Sequence, residues 1–547
     1  MDDPSDFQGD YIGRTASDDD ESPDFEEVPV WIDPRREDSE PGSVFDDESP
    51  DPHLNSFAVI ERGNEDLLQY GRISSGYEYS SRADPGIQQR DKSMGYDPRP
   101  IRESELDEDV YRLVRIELLG EVVFEGHEDF DVEDSDKPWM VRRPTVLPQV
   151  GQKVHELGAE ELGQLLEIPD EEEGLEIGEI ESGGDEVDFR LDSQFISRHM
   201  AILGRTGVGK THTAHVLIEE MIREGESQRG VPVVTFDAED DVRNMAEDVG
   251  GVTLEPEGTE MPVPFQLIGW SEFDGFLGSM ASDKQRQIIA RAYYQVHREA
   301  LENIEEDGKL GVGLSEFKQY IIEAADAFDY NYEAQAVSRA AAVLRGSDVL
   351  SEGMADWAEL MGENPIINID ISGLGDSNRS VVISAVARLL RILRTEEHIP
   401  PFVLAIDEAH EFVPSGRSSE STAVVRNLVK TARHIGIGVM LMTQSPSELD
   451  SRTLRTCNTY VTLALSEPEV KEIEGLLSDL SDRSLAQIPN MERGRAFIGA
   501  ARDIMTHTVP VNIRQRRTEE GAPTPNLMDD SIAWFDKDDQ KEDGGEF

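Results

Sequence analysis

Eight consecutive residues, Gly204-Arg205-Thr206-Gly207-Val208-Gly209-Lys210-Thr211, satisfy the pattern G-x-x-x-x-G-K-[ST] at each of its fixed positions. The pattern has a physical reason. Glycines let the backbone curl so that its N–H groups point inward at phosphate oxygens, and a following helix presents its positive end. Lys210 is then placed to neutralise the β and γ phosphates, and the Thr211 hydroxyl to bind Mg²⁺. The segment Gly204–Thr211, extended by His212, is therefore the candidate ATP-binding stretch. His212 and His215 lie one helical turn apart, and without a further local ligand they read as packing residues rather than a metal site.

A second constellation is Phe402-Val-Leu-Ala-Ile-Asp407-Glu408-Ala-His410, an apolar run followed by two carboxylates. A buried parallel strand of this kind carries Asp407 to the carboxyl edge of its sheet, where the carboxylate can hold Mg²⁺. Glu408 follows at the position needed to polarise an attacking water. That pairing separates hydrolases from passive nucleotide binders. A third strand, Gly438–Thr443, ends at Gln444, a polar side chain suited to touch the γ-phosphate or its water. Arg433 precedes that strand. On spacing alone it is either a surface arginine or a group reaching the nucleotide of a neighbouring subunit.

These residues need a scaffold that brings strand ends together. From His199 to about residue 500, apolar runs alternate with helical patterns: Met200–Leu203, Val231–Phe236, Ile366–Ile371, Phe402–Ile406, Gly438–Thr443 and Tyr460–Leu465 read as central parallel strands. The expected fold class is α/β, a P-loop core with a parallel sheet, spanning 196–515 and carrying a helical insertion at about 271–360. Ahead of it, short β-rich runs over 106–195 (Val110–Ile116, Glu121–Phe124, Thr145–Leu147, Lys153–Leu157, Leu165–Ile168, Leu175–Ile180 and Glu186–Leu191) suggest a small β-barrel. Residues 1–105 are rich in Asp, Glu, Ser, Pro and Gly and read as a disordered acidic tail, a solvated spacer or a docking arm. Residues 516–547 read as an acidic C-terminal tail or a clasp on a neighbouring subunit.

The whole chain has 547 residues and a formal net charge of -63 from 51 basic and 114 acidic side chains. Only 11 of the basic residues are lysine. Acid enrichment with lysine depletion resembles haloarchaeal proteins, in which hydrated carboxylates maintain solubility in molar salt. There the Debye length is about 3 Å, so net charge says little about partners. An acidic protein built for basic partners is the competing reading, but the acids run along the whole chain rather than in one block. No window approaches the roughly 18 apolar residues of a membrane span, and the first residues lack a signal-peptide pattern. A cytoplasmic protein with no membrane association is expected. The single cysteine, Cys457, cannot close an intrachain disulfide.

The segments GRTGVGKT, FVLAIDEAH, TARHIGIGVMLMTQSPSELD and TLRTCNTY together resemble the HerA branch of the HerA–FtsK superfamily, over roughly residues 108–515. The resemblance implies an N-terminal barrel like that of ATP synthase subunits, a RecA-like P-loop core behind it and a hexameric motor that pumps duplex DNA. It implies Lys210 and Thr211 as the Walker A pair, Asp407 as the Walker B aspartate and Glu408 as the catalytic glutamate. Arg433 matches the family's trans-acting arginine finger and Gln444 its sensor glutamine, although Ser445 stands where the family carries Arg. Asp237 and Asp241 fall in a loosely matching acidic turn, and Cys457-Asn458 on the family's Cys-Asn pair. A NurA-like nuclease is the partner that the resemblance implies, in DNA end processing and repair. Arg286, Arg379 and Arg417 are candidate DNA contacts or ordinary surface arginines. The alternatives are a superfamily motor acting on another substrate, in a conjugation or defence complex, and a nucleotide-gated scaffold with weak turnover.

Overall fold

The computed structural model describes residues 4–7, 9–17, 23–32, 52–62, 66–80, 110–127, 129–130, 137–182, 185–223, 230–256, 261–328, 333–416, 419–501, 505 and 507–518. The chain divides into two compact units: Met1–Gly230 with Glu408–Gln515, and Val231–Asp407 with Arg516–Phe547. The first contains a barrel and one set of core strands, and the second contains another set of core strands with the helical insertion.

The barrel is made of β1 (Tyr11–Thr15), β2 (Glu27–Ile32), β3 (Phe57–Glu61), β4 (Leu67–Ser80), β5 (Val110–Phe124), β6 (Trp139–Arg142) and β7 (Lys153–Glu156). They run in the order β2-β1-β7-β3-β4-β5-β6, and β2 pairs with β5 as well, so six strands close on themselves with β6 as an appendage. Closure removes the unpaired edges that an open sheet would expose. Ile12, Val28, Val30, Ile32, Ala58, Ile60, Ile73, Ile116 and Val154 fill the interior. Register shifts at Tyr70/Gly71 and Ile73/Ser75 interrupt the β4–β5 ladder, where bulges let long strands bend.

The barrel therefore starts near Tyr11 and not near residue 106. Four of its strands come from the span read as tail, because β1–β3 are short apolar runs, the longer β4 is interrupted by Gly, Ser and charged residues, and acidic linkers dominate the average composition. The acidic stretches 33–50 and 81–100 lie outside the described residues, as do 519–547. Two other expected strands differ. Thr145–Leu147 is not a strand, and Leu165–Ile168 follows from the helix Ala159–Leu165. The hairpin β8 (Gly174–Ser182) and β9 (Asp185–Asp192) belongs to the core sheet instead of the barrel.

β10 (Met200–Leu203), fully buried, leads through the glycine-rich loop into the helix Lys210–Ile222. In the second unit β11 (Val233–Asp237), β12 (Val252–Leu254), the short pair β13 (Val263–Pro264) and β14 (Leu350–Ser351), β15 (Ile366–Asp370) and β16 (Phe402–Ile406) follow. β12-β15-β11-β16 form a parallel set. The insertion between β13 and β14 consists of the helices Trp270–Leu277, Asp283–Asp307, Leu314–Ala327 and Glu333–Gly346. Phe265, Phe273, Tyr293 and Phe317 pack as an aromatic core, with Phe273 and Tyr293 ring centroids 4.7 Å apart.

The chain returns to the first unit as β17 (Ile437–Thr443), β18 (Thr459–Thr462), β19 (Arg495–Ala500) and β20 (Val509–Ile513). β10 lies between β17 and β18, parallel to both. β19, β20, β8 and β9 then extend the sheet antiparallel. Buried polar bonds join the barrel to this part of the same unit. Arg72 donates to Glu117 at 2.7 Å, to the Thr508 carbonyl at 3.0 Å and to Ser484 at 3.2 Å, and the Tyr70 hydroxyl meets His507 Nε2 at 2.6 Å. No helix among the described residues is long and apolar enough to cross a membrane.

Candidate active site

The loop after β10 has the backbone its glycines were expected to supply. Gly207 and Gly209 hold φ values of +82° and +107°, a left-handed region that side chains disfavour. At Gly204 a Cβ would press to 3.0 Å from Val208 and 3.1 Å from Leu463. Backbone bonds hold the loop from several sides: Gly204 N–H to the Thr443 carbonyl at 3.2 Å, Arg205 N–H to Ala464 at 3.0 Å, and Gly494 N–H to Val208 at 3.0 Å. The loop is thus anchored by the strand ends flanking β10 before any ligand arrives.

Lys210 opens the helix and is buried, yet its ammonium is not isolated: it pairs with the Glu408 carboxylate. Glu408 is buried too, and its backbone takes a left-handed φ of +43°. Such a conformation in a residue with a side chain is uncommon and clusters at functional sites. The second carboxylate oxygen of Glu408 lies 3.2 Å from His410 Nδ1. Burial alone would raise the Glu408 pKa, but the His410 contact and the Lys210 charge outweigh it and hold the carboxyl below its usual range. The Glu408 carboxylate, by hydrogen bond and charge, raises His410 in turn, against the opposing effect of burial.

Gln444 follows directly on β17, and the Thr206 hydroxyl of the glycine-rich loop donates to its Oε1 at 2.5 Å. Two polar pairs, Lys210–Glu408 and Thr206–Gln444, thus tie the glycine-rich loop and the start of its helix to the segments that carry Glu408 and Gln444. Thr211 follows Lys210 in the first helical turn. His212 turns to the carbonyl of Arg514 at 2.8 Å, which ties the start of the helix to the C-terminal strand segment. His215 is buried within the helix, and Cys457 is buried with its thiol pushed up to about 12 by that burial.

In the second unit Asp407 is buried at the end of β16, its N–H bonded to the Phe236 carbonyl at 3.1 Å. A Glu239 carboxylate oxygen lies within 4.8 Å of one of Asp407. That pair of oxygen donors suits a hard divalent cation such as Mg²⁺. Glu239 was not foreseen. It sits in the acidic turn that had suggested Asp237 and Asp241, and the sequence offers no way to choose among five consecutive positions. Asp237 is fully buried and accepts from the N–H groups of Glu239, Asp241 and Val242 at 3.3, 3.1 and 2.9 Å. It staples the turn that carries Glu239.

Arg433 is exposed in the short 3-10 turn Ala432–Ile435 ahead of β17. Because β17 runs parallel to β10, Arg433 occupies the edge opposite the glycine-rich loop of its own chain. Six strand steps at about 3.3 Å make the separation on the order of 20 Å, beyond the reach of one side chain. The arginines considered for DNA are otherwise engaged. Arg286 pairs with Asp274, and Arg379 donates to the carbonyls of Ile371 and Ser372 at 3.0 and 2.8 Å. Arg417 lies outside the described residues.

Residues 175–390 match the family model for the central domain of helicase HerA. Over that span the chain is similar to the HerA-type P-loop ATPases. It is 25% identical to a probable helicase of Methanocaldococcus jannaschii over 421 residues, covering 73% of this chain and 76% of that protein. It is 22% identical to the DNA double-strand break repair helicase HerA of Sulfolobus acidocaldarius over 372 residues, covering 65% of this chain and 72% of the relative. Among solved structures, VirB4 of Thermoanaerobacter pseudethanolicus aligns at a TM-score of 0.47 and 20% identity, covering 65% of this chain and 98% of that one. Within this HerA-like ATPase, the family match begins at β8 and ends in the helix Asp376–Thr395, before Glu408 and Gln444.

Proposed function

We propose that this HerA-like ATPase is an ATP-driven motor that moves duplex DNA in DNA end processing and repair, working as a hexameric ring in the manner the family resemblance implies. The observation that carries the hydrolytic reading is the buried Lys210–Glu408 pair beside the glycine-rich loop. ATP phosphates compete for Lys210, and the carboxylate released from it faces the site where water must attack. Thr211 and Asp407, with Glu239, are the proposed ligands of Mg²⁺, which when bound offsets phosphate charge. Positioning and charge stabilisation suffice for phosphoryl transfer to water, and no protein nucleophile is required. Gln444 orients the water or the γ-phosphate. Arg433, too distant to serve its own subunit, supports a site completed by a neighbour.

The names of the relatives support DNA as substrate, and a nuclease partner of NurA type extends that reading. The acidic surface with 11 lysines supports work in a salty cytoplasm. The decisive assay is ATP hydrolysis by the full chain in multimolar KCl, with and without duplex DNA. Stimulation by the duplex is expected. Binding and rate both indifferent to DNA would overturn the substrate, and a Glu408→Gln variant as fast as wild type would overturn the hydrolytic role of Glu408. The expected loss for Glu408→Gln is at least about 100-fold in kcat.

A further inference from the structure

We propose that His410 is a positioning residue for Glu408 and couples it to the tip of β17; this deepens the ATPase reading and rests on it. The left-handed backbone at Glu408 turns the chain sharply into the short helix Ala409–Phe412. His410 is thereby brought back over the carboxylate it follows by two residues. Its Nδ1 lies 3.2 Å from Glu408 and 3.1 Å from the Thr443 hydroxyl. The imidazole is largely buried, with 13% of its side chain exposed, so water competes poorly for that nitrogen.

Thr443 is the last residue of β17, fully buried, and its hydroxyl also accepts the Ser445 N–H at 3.1 Å. Between Thr443 and Ser445 stands Gln444, bound to Thr206 of the glycine-rich loop. The polar contacts consequently form a circuit. From the loop, Lys210 reaches Glu408, Glu408 reaches His410, His410 reaches Thr443, and Gln444 returns to the loop at Thr206. A phosphate enters this circuit at two points, Lys210 and Gln444. When Lys210 turns to phosphate, Glu408 keeps His410 as its remaining partner, and the direction of the carboxylate is then set by the imidazole.

A single ring nitrogen faces two oxygens, in hydrogen-bond geometry with the Thr443 hydroxyl and in ion-pair contact with Glu408 Oε2, which has no hydrogen bond of its own, and this gives the arrangement two hydrogen-bonding patterns. With a proton on Nδ1 the ring donates to Glu408. In the tautomer that carries its proton on Nε2, the bare Nδ1 accepts from the Thr443 hydroxyl, and Glu408 is released. Displacement of Gln444 at the tip of β17 moves Thr443 and selects between them. His410 thus reports the phosphate-facing state of Gln444 to the carboxylate that acts on water, without itself touching the nucleotide.

The test uses the full-length protein, with steady-state ATP hydrolysis and the affinity for a fluorescent ATP analogue measured on each variant. His410→Ala is expected to lower kcat by about 100-fold, the loss typical of a misplaced catalytic group, with KM and analogue affinity within about twofold of wild type. His410→Asn, whose amide N–H can replace Nδ1–H, should recover at least about tenfold of that loss. Thr443→Val should lower kcat as well, and the double variant His410→Ala/Thr443→Val should be no slower than His410→Ala, as expected for residues acting as a unit. Retention of kcat within about twofold in His410→Ala, no recovery in His410→Asn, or additive losses in the double variant would each overturn the proposal. Wild type no faster than Glu408→Gln would remove the hydrolytic role of Glu408 and this proposal together, whereas a normal wild type with an indifferent His410 removes only the latter.

Discussion

His199 shows how one side chain makes stability depend on pH. It is buried at the start of β10, its Nδ1 accepts the Val439 N–H at 3.1 Å, and burial, with the Arg433 charge adding to it, lowers its pKa to about 4. In the unfolded chain the imidazole titrates near its ordinary 6.5. Between those values the unfolded state binds the extra proton, so stability falls as pH drops from about 6.5 to about 4 and is constant with respect to this group above 6.5. The span corresponds to a loss of about 3 kcal/mol at most. His199→Asn keeps an acceptor and tolerates the left-handed φ of +59° found there. Denaturant unfolding from pH 7 to 4.5 should show a shallower decline for that variant than for wild type. Equal slopes would mean that His199 is protonated in the folded protein.

Among elements, the coupling of β4 and β5 to the helix Asp482–Gln487 rests on the Arg72–Glu117 pair. Arg72 is fully buried, and Glu117 accepts from Arg72 and Ser484 and receives the Ser481 N–H. Removing one partner leaves the other charge uncompensated, so Arg72→Leu should cost about 3–5 kcal/mol in unfolding free energy. Replacing both, as Arg72→Leu/Glu117→Leu, should recover part of that loss, which chemical denaturation would reveal as a higher midpoint than the single variant. The sequence marked β5 as two separate strands and could not mark this bond. Its partners are more than 400 residues apart for Ser484 and Thr508. The alternation that identifies a strand carries no information on which remote group will face it.

For the whole molecule, the placement of Arg433 on the edge opposite the glycine-rich loop predicts shared active sites. Lys210→Ala and Arg433→Ala should each abolish most hydrolysis, with Arg433→Ala slower than wild type by about 10³-fold or more. Mixed assemblies of the two variants should regain measurable activity because some interfaces combine an intact loop with an intact arginine. Size-exclusion chromatography would establish that both variants assemble. No recovery in mixed assemblies would place the arginine outside the neighbour's site.

The sequence by itself determined the phosphate loop, the carboxylate pair at 407–408 and the parallel strands that present them, since those depend on local backbone geometry and on apolar runs of a definite length. The tertiary structure decided what adjacency in space decides. It closed a six-stranded barrel, four of whose strands lie hidden in an acidic stretch, assigned the β8–β9 hairpin to the core sheet, and made Asp237 the staple of the turn that carries Glu239. It also set His410 between Glu408 and Thr443. The barrel, the place of the hairpin and the His410–Thr443 contact depend on pairing between residues far apart in the chain, and the Asp237 turn on its burial, so a buried polar group is satisfied by whichever partner the fold delivers.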